Sequence, residues 1–136
     1  IMKKLLLIPV LFLLLISCSN NSGEESQPNL LIGDWKLSEK IIDDGGGTNP
    51  VWMPITDGYD FVFLEDNKFY TTKFLGTSGC AGGTYTVVNS VITLTFYCPN
   101  TTIPNKFKIY SNTANELIIG NINCDEGCEE KLKRIN

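Results

Sequence analysis

Residues 30–136 are predicted to fold as an all-β domain, an eight-stranded antiparallel up-and-down β-barrel. Three observations lead to this. Apolar and polar residues alternate with period two in runs of six to eight residues, as in strands with one buried face. Segments rich in Gly, Asn, Asp, Ser and Pro separate the runs, and these residues favour turns through positive φ, fixed φ or side-chain hydrogen bonds. Crossovers of helical length are absent between the runs, which points to antiparallel neighbours. A sheet with one apolar face must stack on a second sheet or close on itself, and closure also removes the edges that invite aggregation.

The elements follow in order. "DWKLSEKI" from Asp34 sets Trp35, Leu37 and Ile41 on one face and Lys36, Ser38 and Lys40 on the other. Further strands are expected at 59–64, 68–75, 83–88, 91–97, 106–111, 115–122 and 130–135. One hairpin can be registered: a two-residue turn at Asn89-Ser90 puts Val87 opposite Ile92 and Tyr85 opposite Leu94, so both strands share an apolar face. Carried outward, this register brings Cys80 near Cys98 but on the opposite face. A bulge at Gly82-Gly83 is expected to rotate them together. The predicted inward residues are Trp35, Leu37, Phe61, Phe63, Phe69, Tyr85, Val87, Ile92, Leu94, Phe96, Phe107, Ile109, Leu117, Ile119 and Leu132. So bulky a set either fills an eight-stranded barrel or leaves space for one small apolar molecule.

The chain ahead of the barrel reads as an address. Lys3 and Lys4 precede an apolar run of twelve residues, Leu5 to Ile16, interrupted by Pro9. That is short of the ~20 residues a spanning helix needs and matches a secretory signal peptide over residues 1–17. The junction Leu15-Ile16-Ser17-Cys18 resembles the lipobox of bacterial lipoproteins, which implies cleavage before Cys18 and acylation of its thiol. Residues 18–29, "CSNNSGEESQPN", contain nothing to bury beyond the anchor and read as a tether. Glu24-Glu25 resembles a surface-export tag but reads more simply as solvated linker. The implied location is the cell envelope, most simply the outer membrane, with the bilayer as a partner through Cys18.

Composition excludes several functions. Without Lys3 and Lys4 the chain holds 9 basic and 15 acidic residues, a formal charge of 9 − 15 = −6. It lacks the basic stripe that a nucleic-acid partner requires. It contains no histidine, which removes Ser-His-Asp and Cys-His chemistry and imidazole metal ligands. The carboxylates Asp43-Asp44 and Asp57 with Asp60 read as solvated turn residues rather than an acid–base pair. "DDGGG" lacks the lysine and the helix of a phosphate loop, Asn100-Thr101-Thr102 is a chance sequon, and "DEGCEEK" reads as a solvated turn. No enzyme activity, cofactor or metal is expected. The four remaining cysteines, Cys80, Cys98, Cys124 and Cys128, form an even set in an exported chain, which points to disulfides with three possible pairings. Zinc is the rival, but only Cys124 and Cys128 have a suitable spacing. The hairpin geometry favours Cys80–Cys98 with Cys124–Cys128.

Gly33-Asp34-Trp35 opening the first strand, with Arg134 near the end of the last, resembles the Gly-x-Trp motif and terminal arginine of lipocalins and the wider calycin group. The resemblance implies a barrel whose tryptophan closes one end beneath the arginine, an arrangement with a cation–π contribution of about 0.5–2 kcal/mol. It also implies that residues 43–58, "DDGGGTNPVWMPITDG", are the loop covering the open end. Trp52 and Met53 within it would gate a ligand, contact a partner or plug the barrel. The expected function is a non-catalytic, membrane-anchored module that binds a small apolar ligand. The alternative is an interaction or inhibitor module whose partner is another envelope protein.

Overall fold

The computed structural model describes residues 28–42, 51–98, 103–124 and 127–135. The leader, Cys18, most of the tether, Asp43-Asp44 and the Asn100 sequon lie outside the described residues. Two short helices, α1 (Pro28–Leu31) and α2 (Leu75–Ser78), accompany nine strands: β1 (Gly33–Ile42), β2 (Val51–Pro54), β3 (Asp60–Phe63), β4 (Lys68–Thr71), β5 (Gly82–Val88), β6 (Val91–Phe96), β7 (Lys106–Asn112), β8 (Glu116–Asn121) and β9 (Glu129–Arg134). All pairings are antiparallel between neighbours, and β9 returns to pair with β1. β3 occupies the first half of one edge of β1 and β2 the second half of the same edge. Nine strands therefore make eight staves, a closed up-and-down barrel.

The registered hairpin forms as expected, with Val87 opposite Ile92 and Tyr85 opposite Leu94. Asn89 and Ser90 both take positive φ, 49° and 59°, the conformation that a two-residue turn needs to match strand twist. Every predicted inward residue is buried or packs against the core cluster. The cluster also takes in Tyr59, the same-face position before Phe61, and Leu31, Phe74 and Ile103, which the strand pattern does not single out.

Four local expectations are corrected. The run 68–75 stops being strand at Thr71, because the Thr71 hydroxyl donates to the Asp60 carbonyl at 2.8 Å and receives the Lys73 amide at 3.1 Å. The chain then turns to bury Phe74 and passes through α2, which ends at left-handed Gly79. There is no bulge at Gly82-Gly83, since the β5–β6 register runs unbroken to Gly83 opposite Phe96. Gly83 lies between Phe69 on β4 and Phe96 on β6. Its missing side chain lets those rings meet edge to face at 5.1 Å, and a Cβ there would sit 2.0 Å from the Thr95 carbonyl oxygen. A bulge occurs instead in β1, between Leu37 and Glu39. Beyond it the faces exchange: Lys40 turns inward opposite Glu130, and Ile41 turns outward opposite Trp52. Lastly, Trp52 and Met53 belong to a strand rather than a loop.

Disulfides join Cys80 to Cys98 and Cys124 to Cys128. The first closes a span of 18 residues, worth about 3 kcal/mol by the chain-entropy relation. Both lie at the end of the barrel opposite Trp35.

Trp35 and Arg134 form the floor. The Trp35 indole N–H donates to the Leu31 carbonyl at 2.7 Å, and the Arg134 guanidinium lies 4.2 Å over the indole ring. Arg134 also donates to the carbonyls of Ala114, Ile32 and Leu30 at 2.6, 2.7 and 2.7 Å. Space for this comes from Gly33, where a Cβ would fall 2.0 Å from an Arg134 nitrogen and where φ is +137°. Gly33→Ala should therefore destabilise the fold by about 2–4 kcal/mol through backbone strain and loss of the guanidinium contacts. Gly76→Ala in α2, where nothing lies within 4 Å, should be neutral or stabilising by up to about 1 kcal/mol. Urea unfolding of both variants checks the pair.

Candidate functional site

The barrel is filled from its floor upward. Tyr59, Phe61 and Phe63 form a column along β3 and the residue before it, with centroid spacings of 5.7 and 5.2 Å. Phe107 meets the column at 6.3 Å from Phe61. Space opens past Phe107, as a cup of about 430 Å³ bordered by Lys40, Ile42, Lys73, Phe107, Asn121 and Glu130, among others. The interior is thus packed along most of its length and hollow at one end. Beyond the cup the β1–β2 ribbon projects as a lip whose inner face carries exposed Ile42, Val51 and Met53.

The base of the cup is charged. Leu132 faces the core, and Glu130, two residues earlier on β9, shares its face. Its carboxylate accepts both contacts from the Lys73 ammonium, at 2.5 and 2.6 Å. The Tyr59 hydroxyl donates to the same carboxylate at 2.6 Å. Lys73 also rides over the Tyr59 ring at 4.1 Å. The pair is largely shielded, with side-chain exposures of 19% for Lys73 and 20% for Glu130. Burial pushes the Lys73 ammonium below the usual lysine range, Glu130 pulls it back, and Lys40 again pushes it down. Tyr59 is raised well above the ordinary phenol value by burial first, then by the nearby Glu130 carboxylate and the hydrogen bond to it.

The sequence-predicted residues fall in different places. Gly33, Trp35 and Arg134 come together at the floor, far from the cup. Trp52 and Met53 separate onto opposite faces of β2, as neighbours on a strand must. Trp52 lies outside, half-buried, beneath the Lys131 ammonium at 4.3 Å, and Lys131 also pairs with Glu39 at 2.9 Å. Met53 faces the lip opposite Lys40. Cys128 borders the cup. Asp57 is exposed, and Asp60 carries Lys36 at 3.4 Å. "DEGCEEK" is corrected in its described part, since Glu129, Glu130 and Lys131 are strand residues and Glu130 points inward.

The Tyr59–Lys73–Glu130 cluster was legible in part. Tyr59 has the parity of Phe61 and Phe63, and Glu130 that of Leu132 and Arg134, so alternation alone places both inside. Lys73 could not be read, because it lies past the point where β4 stops. Among the described residues no group of three or more His, Cys, Asp or Glu is placed to hold a metal, and no helix is long and apolar enough to cross a membrane.

A family profile described as a lipocalin-like domain matches residues 31–119. Among solved structures, a lipocalin-like protein from Bacteroides uniformis ATCC 8492 is similar, with 17% identity and a TM-score of 0.54. That match covers 78% of this chain and 99% of the other. No curated protein matches the chain.

Two outcomes follow from the cluster. Glu130→Gln leaves the shielded Lys73 without its counter-ion and should cost about 1–3 kcal/mol, and adding Lys73→Met should recover most of the loss. A double-mutant cycle in urea measures this coupling. Because the folded Tyr59 keeps its proton where the unfolded chain has lost it, its contribution is complete below the ordinary tyrosine pKa and lost as pH rises past it. In a phenolate absorbance titration, Tyr59→Phe should remove the component that appears at the highest pH.

Proposed function

Because the chain belongs to the lipocalin-like family, we propose that it is a non-catalytic envelope lipoprotein, anchored through Cys18, whose barrel holds a small ligand in the cup at its open end. One observation supports this above the rest: the interior is filled up to Phe107 and then gives way to a cavity of about 430 Å³, within the size range of small-molecule sites. Phe107 and Ile42 supply apolar wall, and the exposed lip of Val51 and Met53 continues it outward. An apolar body of about a dozen heavy atoms fits such a space at roughly 30 Å³ each. Glu130 and Lys73 neutralise one another, and Tyr59 keeps its proton, so this cluster supplies neither a free general base nor an activated nucleophile.

The anchor agrees with this arrangement. The tether enters the barrel through α1 at the closed end, beside Trp35. A lipid on Cys18 would therefore hold the floor nearer the bilayer and leave the cup on the far side. Lipidation at the new N-terminus gives more than one acyl chain, and two chains anchor a protein where one binds only marginally.

A second reading has its own observation. β2 is the terminal strand of the sheet order, with one edge unpaired among the described residues and exposed Val51 and Met53. Such an edge suits a protein partner that adds a strand.

Asn121 borders the cup on the inward face opposite Phe107. Asn121→Trp should fill the space and weaken binding of the uncharged dye N-phenylnaphthylamine at least about tenfold with an unchanged circular dichroism spectrum. Equal binding by the variant would remove the cup from consideration. Cys18→Ala should move the protein from the membrane to the soluble fraction and abolish incorporation of a labelled fatty acid.

A further inference from the structure

The charges that face the cup do not balance. Lys40 points inward because of the β1 bulge, Lys73 lies at the base, and among the described residues a single inward carboxylate, Glu130, faces them both. Glu130 is fully engaged, accepting two contacts from Lys73 and one from Tyr59. Lys40 has no ion pair among the described residues, and its charge already bears on Lys73. Glu129 also borders the cup, but its register partner is Gly120, on the outward-facing row with Lys108. Among the described residues the cup therefore holds one cation in excess, within a chain whose formal charge is −4.

We infer that the cup selects short anionic amphiphiles, with a carboxylate or sulfonate head beside Lys40 and Lys73 and an aliphatic body against Phe107, Ile42 and the lip. This rests on the cup being the ligand site. An anion relieves the repulsion between the two ammonium groups and gives Lys40 the partner it lacks among the described residues. A neutral ligand leaves that repulsion in place, and a cationic ligand adds to it. Length follows from the floor of the cup. Phe107 and the aromatic column block the axis of the barrel, so a body of about ten carbons fills the cavity. A longer chain would have to leave across the lip, where Ile42, Val51 and Met53 are 48%, 60% and 44% exposed.

The anionic head is common to free acids and to membrane lipids. The cavity volume favours the free acid, since a lipid with two acyl chains exceeds it several-fold. Titration calorimetry separates these, using the whole chain with Cys18→Ser so that no acyl anchor competes. The probes are decanoate, decanol, decyltrimethylammonium and vesicles of phosphatidylglycerol. Decanoate should bind about tenfold more tightly than decanol, and the cation more weakly than either. Lys40→Met, which removes an exposed side chain and no ion pair, should bring decanoate down to the level of decanol and leave decanol unchanged. Lys40→Glu should reverse the order in favour of the cation. Decanol equal to decanoate, with no effect of Lys40→Met, overturns the charge inference and leaves the cup as a site for neutral ligands. Binding to vesicles alone overturns it in favour of a lipid surface. Failure of every probe overturns both this inference and the proposed ligand-binding role.

Discussion

The rest of the structure depends on the seal that Arg134 makes over Trp35. A single guanidinium accepts the indole face below it and donates to carbonyls at residues 30, 32 and 114. It thereby joins the segment before the first strand, a turn near the end and the last strand itself. Those carbonyls lie at the end of the barrel, those of Leu30 and Ile32 partly buried and that of Ala114 exposed, and the guanidinium supplies each with a charge-assisted partner. Arginine suits the place because its planar fork offers several donors at fixed angles while still stacking on an aromatic face. The contact sets the β1–β9 register from Trp35 opposite Arg134 onward, and that register is what makes the sheet a closed surface.

Sealing one end has consequences at the other. With the floor blocked, side chains pile upward as a column of aromatic rings, and any space the sequence leaves must appear at the opposite mouth. Tyr59 marks the transition. Its ring belongs to the apolar column, and its hydroxyl belongs to the charged layer with Glu130 and Lys73. Among the described residues no arginine comparable to Arg134 ties the strand ends at the mouth. The two disulfides take that part, linking Cys80 to Cys98 and Cys124 to Cys128 around the opening.

Much of the barrel was readable because period-two alternation and turn chemistry act locally. The Asn89-Ser90 turn fixed a register that the structure reproduces pair by pair, and Gly33, Trp35 and Arg134 mark the floor by residue type alone. The mouth was less readable, for a physical reason in each case. A bulge adds one residue without altering composition, so nothing in "DWKLSEKI" shows that Lys40 and Ile41 exchange faces after Leu37. Thr71 ends β4 through hydrogen bonds made to Asp60, eleven residues earlier, and a long-range contact of that kind leaves no periodic trace. Gly82-Gly83 carries the composition of a bulge, yet the glycine serves the packing of Phe69 on Phe96.

The ion pair at the base of the cup is poorly explained by stability. Removing two charges from water costs several kcal/mol for each ion, and their attraction offsets this only when the geometry is good and the remaining lone pairs are satisfied. Apolar residues of similar volume would close the mouth as well as Phe107 closes the column beneath it, and they would add burial rather than desolvation. The satisfied geometry of Glu130, with three hydrogen bonds from Lys73 and Tyr59, makes the pair tolerable. It does not account for Lys40, which the bulge turns toward the mouth of the cup, still exposed, where plain alternation would have sent it to the outer wall. A fold seeking only a plug would have no reason to bend β1 so that a second ammonium faces the first. Placing it there makes sense if the space between them is meant to be filled by something that carries the missing negative charge.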